Sequence, residues 1–374
     1  MMTEYTPNIL LNGRFLTRQM TGVDRVAAEL SVALSDALAE RERGRLRLAL
    51  PAGGVPDGIS GSDAAERLLA LPKLENLFGR GYVWEQASLL AAAPDDWLVN
   101  LCNMGPVLRR KQVTMIHDAQ IYTQPQAYSR AFRSVYRTLL PRVGARSAVI
   151  LTVSEYSRRE LEQFGVVPSG KATVVRNGID HIHRIAADET TLDRLKIKKG
   201  GYFLALGSMA PHKNIPMLAE VARSLGPDAP PLVIAGGGNP KVFKDAGIHE
   251  SEKVRVLGRV TDGELKALYQ GAFALVFPSK TEGFGLPPLE AMVNGCPTIV
   301  TTGGAVPEVC GDASIYAAPD DPRAWRNAME ALVANPSKRD ALIHAGQKRA
   351  QEFTWKRAAQ VTLEAMEEAE AAFS

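Results

Sequence analysis

"FALVFPSKTEGFGLPPLEAMVNGCPTIVTT", Phe273–Thr302, holds a complete folding unit. "FALVF" is a short unbroken apolar run, the pattern of a strand buried on both faces, and "PTIVTT" is another. Between them the turn "EGFG" leads into Pro287-Pro288, and proline suits the first turn of a helix. Leu289–Val293 continues that helix and puts Glu290 in its first turn. Strand, helix and strand in this order build a parallel sheet covered by helices.

The turn also poses a chemical question, because Glu282 and Glu290 flank its glycines. Paired carboxylates can be the acid and base of glycoside hydrolysis, but they must then face each other across a sugar. Alternatively they accept hydrogen bonds from sugar and ribose hydroxyls. The backbone N–H groups of Gly283, Phe284, Gly285 and Leu286 would then hold phosphate at the positive end of the helix. Nothing in the stretch requires hydrolysis, so the second reading is favoured.

The same alternation runs through all 374 residues, a length that suits two domains. "NILLN", "LRLALP", "WLVNLC", "VTMIHD" and "SAVILTVS" read as buried strands, and "GVDRVAAELSVALSDALAER" as a helix. After residue 200 the pattern starts again with "YFLALGS", "PLVIAGGG", "VRVLGRV", "FALVFPS", "PTIVTT" and "ASIYAAP". The expected class is therefore α/β, with two doubly wound, Rossmann-like parallel sheets facing a cleft. The boundary is expected in the charged segment 182–201, which ends in Gly-Gly before a new strand. Residues 51–63, "PAGGVPDGISGSD", read as a surface loop. Ligands of such sheets bind at the carboxyl ends of the strands.

Composition bounds the function. The chain is 45% hydrophobic and 23% charged, as globular proteins are, and its net charge of +3 is too weak to indicate nucleic acid. No apolar run reaches the ~18 residues needed to span a bilayer. The opening residues lack a basic segment and a long apolar stretch, so no secretory signal is expected. Cys102, Cys296 and Cys310 are scattered, which fits buried, reduced thiols in the cytoplasm. There is no D-x-D spacing, no P-loop and no G-x-G-x-x-G; "AGGGNP" comes nearest to the last but lacks its spacing. No metal and no cofactor are expected.

"SKTEGFGLPPLEAMVNGCPTIVTTGGAVPEVCGDASIYAAPDD" resembles the signature region of the retaining family 4 glycosyltransferases of the GT-B fold. The family's E-x7-E motif falls on Glu282 and Glu290. By this resemblance Glu282 approaches the donor sugar and Glu290 binds the ribose. "LALGSMAPHKNIPML" is similar to the family's diphosphate loop, with Lys213 as the neutralising cation. It departs from the pattern at two positions, where Ser208 and His212 stand in places that often carry arginine. "VTMIHDAQ" resembles the strand-end motif whose histidine, here His117, helps position the donor sugar, with Asp118 orienting it or capping the next turn. Gly22 sits where the family has a glycine loop, and "GRV", with Arg259 and Val260, resembles the segment lining the base. Ser154, Asn177, Gly178 and Asp180 match a wall-forming region. The resemblance implies an N-terminal acceptor-binding domain (1–185), a C-terminal nucleotide-sugar domain (186–355) and a last helix (356–374) crossing back to the first.

Residues 119–154 contain no acidic side chain. Arg130, Arg133, Arg137, Arg142 and Arg146 interleave with Phe132, Val135, Tyr136, Leu139 and Leu140, which makes 129–146 a basic amphipathic helix. Two readings stand: a half-buried domain helix with a solvated basic face, or a contact for an anionic membrane surface. The expected function is a metal-independent, retaining hexosyltransferase. Its donor would be a nucleotide diphosphate sugar, GDP-mannose favoured over UDP-sugars, and its acceptor a glycan or lipid-linked oligosaccharide. It would work in the cytoplasm, where the basic helix could hold it at the inner face of the cell membrane. A GT-B epimerase, a phosphorylase and a non-catalytic sugar-nucleotide binder are the alternatives.

Overall fold

The structure, a computed structural model, describes residues 6–41, 44–55, 62–74, 77–237, 243 and 248–373. The chain divides into two units, Met1–Gly178 with Thr354–Ser374, and Ile179–Phe353.

The first unit holds a parallel sheet of β1 (Asn8–Asn12), β2 (Arg45–Ala49), β3 (Lys73–Leu74), β4 (Trp97–Asn100), β5 (Gln112–Met115), β6 (Val149–Thr152) and β7 (Ala172–Val174). Its order is β3-β2-β1-β4-β5-β6-β7. The second unit repeats the plan with β8 (Phe203–Leu206), β9 (Leu232–Ala235), β10 (Val254–Gly258), β11 (Ala274–Phe277), β12 (Thr298–Thr301) and β13 (Ser314–Ala317), in the order β10-β9-β8-β11-β12-β13. Every pairing is parallel, in registers such as Leu10↔Leu98 and Leu204↔Leu275. β4, β5, β6, β9, β11 and β12 are buried along their whole length. That burial is why these strands read as unbroken apolar runs rather than alternating ones. In both sheets the chain order reverses beside the first strand, between β1 and β4 and between β8 and β11, and such a switch point opens a crevice above the strand ends.

The longer helices that matter below are α1 (Gly22–Glu40), α2 (Arg130–Arg146), α3 (Glu155–Gln163), α4 (Ile215–Ser224), α5 (Asp262–Gly271), α6 (Leu286–Val293), α7 (Pro322–Ala334), α8 (Pro336–Ala350) and α9 (Trp355–Glu370). Thr21 with Asp24 and Thr261 with Glu264 close capping boxes at the starts of α1 and α5. Trp325, Met329 and Leu332 of α7 join Phe203, Ile234, Val276 and Ile299 in the core of the second unit. Among the described residues no helix is long and apolar enough to cross a membrane.

The structure differs from the expectations at four points. The units divide after Gly178 and after Phe353, seven and two residues before the expected 185 and 355. The charged segment 182–201 is no linker, because it is bonded into the second unit. Ile179 N–H donates to Phe353 O at 3.0 Å, Asp188 N–H to Gly263 O at 3.0 Å, and Lys266 Nζ to the carbonyls of Ile182 and Ile185 at 3.0 and 2.7 Å. The loop reading of 51–63 ends early, since Ser62 caps a helix beginning at Asp63; residues 56–61 lie outside the described residues, as do 238–240 of "AGGGNP". Glu290 is the fifth residue of α6 rather than part of its first turn, because Gly285, at φ +109°, caps the helix before the two prolines.

The last helix, α9, belongs to the first unit. Its end is held there by Lys111 Nζ to Glu370 Oε1 at 2.8 Å and by Trp97 meeting Phe373 edge-on at 5.7 Å. Gly178 lies against the start of α9 so closely that a Cβ would stand 2.2 Å from Trp355 N. Of the "NGID" stretch, this glycine therefore serves packing.

Candidate active site

The crevice of the second unit is built by two loops, one following β8 and one following β11. After β8 the chain runs through Gly207 and Ser208 into a short turn, Pro211–Lys213, and Asn214 at φ 57° redirects it into α4. Asn214 Nδ2 ties this turn to the end of β11 by donating to Pro278 O at 3.3 Å and to Pro319 O at 2.7 Å. Lys280 N–H donates to His212 O at 2.7 Å. The two loops are thereby one assembly, and Lys213 Nζ reaches Glu282 Oε1 at 2.7 Å although 69 positions separate them. Lys213 and Glu282 keep 26% and 13% of their side chains exposed, so the pair is accessible to a ligand from one side. An ammonium has three N–H donors. One points at Glu282, and the others remain for an anion.

Glycines let a third loop support Glu282. Ala305 N–H donates to Glu282 O at 2.9 Å. Gly304, at φ +66°, lies so near that a Cβ would stand 2.4 Å from Glu282 N, and a Cβ on Gly303 would stand 2.2 Å from Lys280 O. Phe284 is buried, its ring edge-on to Phe353 at 5.8 Å, so only its backbone can serve a ligand. Pro287 and Pro288 carry no N–H, so the donors of this helix start come from Gly285 and Leu286 rather than from deeper in its first turn. Glu290 is 8% exposed, and Tyr269 of α5, itself buried, donates its hydroxyl to Glu290 Oε2 at 2.8 Å.

The remaining predicted residues of this unit sit as follows. Ser208 Oγ accepts the Ala210 N–H at 3.3 Å and shapes the turn, so no guanidinium occupies that place. Arg259 is exposed and Val260 half-buried, just past β10. His212 is buried, and burial together with the neighbouring Lys213 lowers its pKa, which keeps the imidazole neutral at pH 7.

The first unit has a separate polar centre at its own switch point. His117 ends the run after β5 and is 5% exposed. Its N–H donates to Asn103 Oδ1 at 2.8 Å, and its Nε2 is 2.8 Å from Leu101 O. A carbonyl can only accept, so Nε2 carries the proton and Nδ1 is left as an acceptor. Burial lowers the pKa of His117, so this ring too is neutral. Asp118 Oδ1 accepts the Gln120 N–H at 2.9 Å and caps the next turn. Gly22 is the exposed first residue of α1. Ser154 caps α3 by accepting the Ser157 N–H at 3.0 Å, a structural role.

Several charged residues here escaped the sequence reading. Arg14 pairs with Glu85 at 2.5 Å, and Arg18 with the fully buried Asp24 at 2.6 Å. Arg14, Arg18 and Glu85 line a small pocket above β1 and β4 with Asn12, Cys102 and Tyr136. The signal was present in "NGRFLTRQMTGVDRV", which puts Arg14, Arg18 and Asp24 after a buried strand, where such sheets bind ligands. Burial pushes the Cys296 and Cys310 thiols up to about 12, and burial with the neighbouring Asp24 raises that of Cys102, which lines the pocket.

Sequence comparison identifies relatives. Residues 188–349 match the family profile "Glycosyl transferases group 1", and residues 20–182 match "Glycosyltransferase Family 4". The chain is 32% identical over 267 residues to O-antigen chain mannosyltransferase B of Escherichia coli, an alignment covering 68% of this chain and 70% of that protein. The chain belongs to the group 1 glycosyltransferases. It is also 31% identical over 235 residues to the O-antigen chain mannosyltransferase RfbU of Salmonella typhimurium, covering 62% of this chain and 63% of RfbU, so that match spans just under two thirds of the relative. In fold, the glycosyltransferase superposes on sucrose-phosphate synthase from Thermosynechococcus elongatus with a TM-score of 0.72 at 17% identity, covering 98% of this chain and 100% of that one. Two Rossmann-like units of this kind are the GT-B architecture. In this glycosyltransferase the signature glutamates lie on the loop after β11 and one turn into α6, and the signature lysine on the loop after β8.

Proposed function

We propose that this glycosyltransferase moves a hexose, with mannose favoured, from a nucleotide diphosphate sugar to a glycan or lipid-linked oligosaccharide, with retention at the anomeric carbon. The observation that carries the reading is the Lys213–Glu282 pair, set at the switch point of the second sheet beside a glycine turn and a helix start. The mannosyltransferase names of the relatives favour transfer over epimerisation or mere binding, and a GDP-linked donor is part of the proposal.

The proposed roles join the family resemblance to the observed loops. The unit of residues 179–353 takes the nucleotide sugar, with Arg259 and Val260 beside the base. Lys213 and the N–H groups from Gly283 to Leu286 bind the diphosphate and stabilise the charge that grows on it as the anomeric C–O bond breaks. Glu282, fixed by Lys213 and by the loop at Gly304, accepts from sugar hydroxyls. Glu290, set by Tyr269, accepts from the ribose. The first unit binds the acceptor, with the pocket at Arg14, Arg18 and Glu85 as its polar floor, and Gly22 serves the donor. His117 Nδ1 accepts from a donor-sugar hydroxyl and so orients the anomeric centre. The acceptor oxygen forms its bond on the face the diphosphate leaves, and its proton passes to the departing phosphate oxygen. No residue needs to form a covalent intermediate and no metal is required.

Membrane contact is part of the proposal. The apolar side of α2 packs on the first unit's core through Leu140 and Val143, while Arg130, Arg137, Arg142 and Arg146 are exposed. Attraction to an anionic surface at about 1 kcal/mol per basic group would hold the cytoplasmic enzyme at the inner leaflet, near a lipid-linked acceptor. Failure to co-sediment with phosphatidylserine vesicles at low salt removes this element.

The deciding experiment is a thermal-shift panel with GDP, UDP, ADP and their sugars, with and without EDTA. A shift with one nucleotide family that survives EDTA is expected. No shift with any nucleotide overturns the reading.

A further inference from the structure

The charges around the pocket at the switch point of the first sheet are matched in pairs. Arg14 stands on the short turn Gly13–Thr17 after β1. The turn is pinned where Asn12 Oδ1 accepts the Arg14 N–H at 3.2 Å and Asn12 Nδ2 donates to Asn100 Oδ1 at 2.9 Å. The Arg14 guanidinium lies over the Tyr82 ring at 5.3 Å and donates to Glu85 Oε2 at 2.5 Å. Glu85 follows the fully buried Trp84 and keeps only 4% of its side chain exposed. Beside this pair, Arg18 donates to Asp24 Oδ1 through Nε and Nη2, at 3.0 and 2.6 Å. Hydrogen-bonding capacity nevertheless remains. A guanidinium has five N–H donors, and one of those on Arg14 goes to Glu85. Glu85 Oε1 accepts no hydrogen bond among the described residues. A donor and an acceptor thus stand side by side on a space of about 30 Å³, room for one or two hydroxyl-sized groups. One wall is aromatic: Tyr136 of α2 lines the pocket, Phe132 stacks on it at 4.1 Å, and Tyr128 stacks on Phe132 at 5.5 Å.

We infer that this pocket takes the hydroxyls of an uncharged sugar unit of the acceptor, one hydroxyl donating to Glu85 Oε1 while it or its neighbour accepts from Arg14, and that it rejects phosphorylated and uronic-acid units. The inference rests on the glycosyl-transfer reading and names the class of acceptor that the first unit binds. A hydroxyl both donates and accepts, so one hydroxyl or an adjacent pair satisfies a carboxylate and a guanidinium together. An ionised phosphate or carboxylate accepts from Arg14 but brings a like charge against Glu85, where little water is present to screen it. Arg18 offers no compensation, because Asp24 already neutralises it. The aromatic row suits the apolar C–H face of a sugar ring whose polar edge enters the pocket.

The test is saturation-transfer NMR titration with the methyl glycosides of mannose, glucose and galactose and of their uronic acids, on wild type, Glu85→Gln and Arg14→Lys. At least one uncharged glycoside should bind wild type, and its uronic acid should bind about tenfold more weakly or worse. Arg14→Lys keeps the ion pair and loses the spare guanidinium donors. Glu85→Gln keeps the shape and removes the negative charge. Each should weaken the uncharged glycoside about tenfold, the effect of one charge-assisted hydrogen bond. In Glu85→Gln the uronic acid should gain, because Arg14 is no longer matched, and misfolding cannot produce a gain. Melting with a wild-type nucleotide shift shows that a variant is folded, and if Glu85→Gln does not fold, Arg14→Lys decides. If wild type shows a nucleotide shift but no uncharged glycoside binds in a way that these substitutions weaken, the inference fails and the transfer reading stands. Uronic acids that bind wild type as tightly as the uncharged glycosides also overturn it. If no nucleotide shifts the melt, both fall together.

Discussion

Replacing Gly304 with alanine tests whether the glycine loop after β12 positions Glu282. Gly304 has φ +66°, and its Cβ would stand 2.4 Å from Glu282 N and 2.6 Å from Glu282 O. These are backbone atoms, so the clash can be relieved only by moving the turn that carries Glu282. Left-handed backbone costs a non-glycine residue about 1–2 kcal/mol. Overpacking adds about 1–3 kcal/mol, and the stiffer unfolded chain returns about 0.4–1 kcal/mol. The net cost centres on about 3 kcal/mol. Gly200 is the control, with φ +70° in the same unit and open space where a Cβ would go. Gly200→Ala carries the backbone term alone, centred on about 1 kcal/mol after the unfolded-state gain. The difference of about 2 kcal/mol should separate the calorimetric melting temperatures of the variants by roughly 4–8 °C for a unit of this size. Sugar transfer should fall sharply in Gly304→Ala, measured well below its melt, and hold in Gly200→Ala. Equal melting and equal turnover in the two variants would refute the idea that this contact sets Glu282.

Further outcomes follow from the same geometry. Glu290→Ala should weaken nucleotide binding, while Glu282→Ala should mainly lower turnover; the opposite split in Kd and kcat would reverse their assigned roles. Tyr269→Phe removes a hydroxyl that donates to a carboxylate in a buried setting, a bond worth about 1.5–3 kcal/mol. Nucleotide Kd should therefore rise with kcat nearly unchanged, and unaltered Kd would show that Glu290 needs no such support. His117 and His212 have pKa values lowered by burial, helped at His212 by Lys213, and opposed at His117 by the hydrogen bond to Leu101 O and by Asp24, and at His212 by Glu282. Unfolded histidine titrates near about 6.5, so below that pH the unfolded chain binds more protons than the folded one. Their contribution to stability is complete above this value and is lost as pH falls towards the folded pKa. Urea midpoints should drop between pH 7.5 and 5.5, with a shallower drop in His117→Gln; an unchanged slope in that variant counts against a neutral buried His117.

Each predicted strand overlaps an observed one, with ends differing by up to three residues, as for 113–118 against Gln112–Met115, since an apolar run bounded by glycine and proline is a local pattern. β3, two residues long, left no such pattern, and β7 was visible only as part of a wider motif. The charged stretch 182–201 looked like a linker because charge suggests solvent, yet its backbone is tied to α5 and Phe353 by bonds that sequence does not display. Ser208 and His212 were noted only as departures from a pattern. Exposure alone separates them, as one shapes its turn and the other is buried with a partnerless nitrogen.

By itself the sequence determined the α/β class, the repeat of the plan in two units and the Glu282–Glu290 motif with Lys213. Periodicity, glycine, proline and spacing act over neighbouring residues, and those are written along the chain. Tertiary structure decided which loops share a crevice. Parallel order places β8 beside β11, so their loops meet and close a 2.7 Å contact between Lys213 and Glu282. The same packing brings Tyr269 to Glu290, Gly304 to Glu282 and His212 to Lys280. These are relations between strand neighbours in space, fixed when the buried faces of the sheet find their register, and no local pattern carries them.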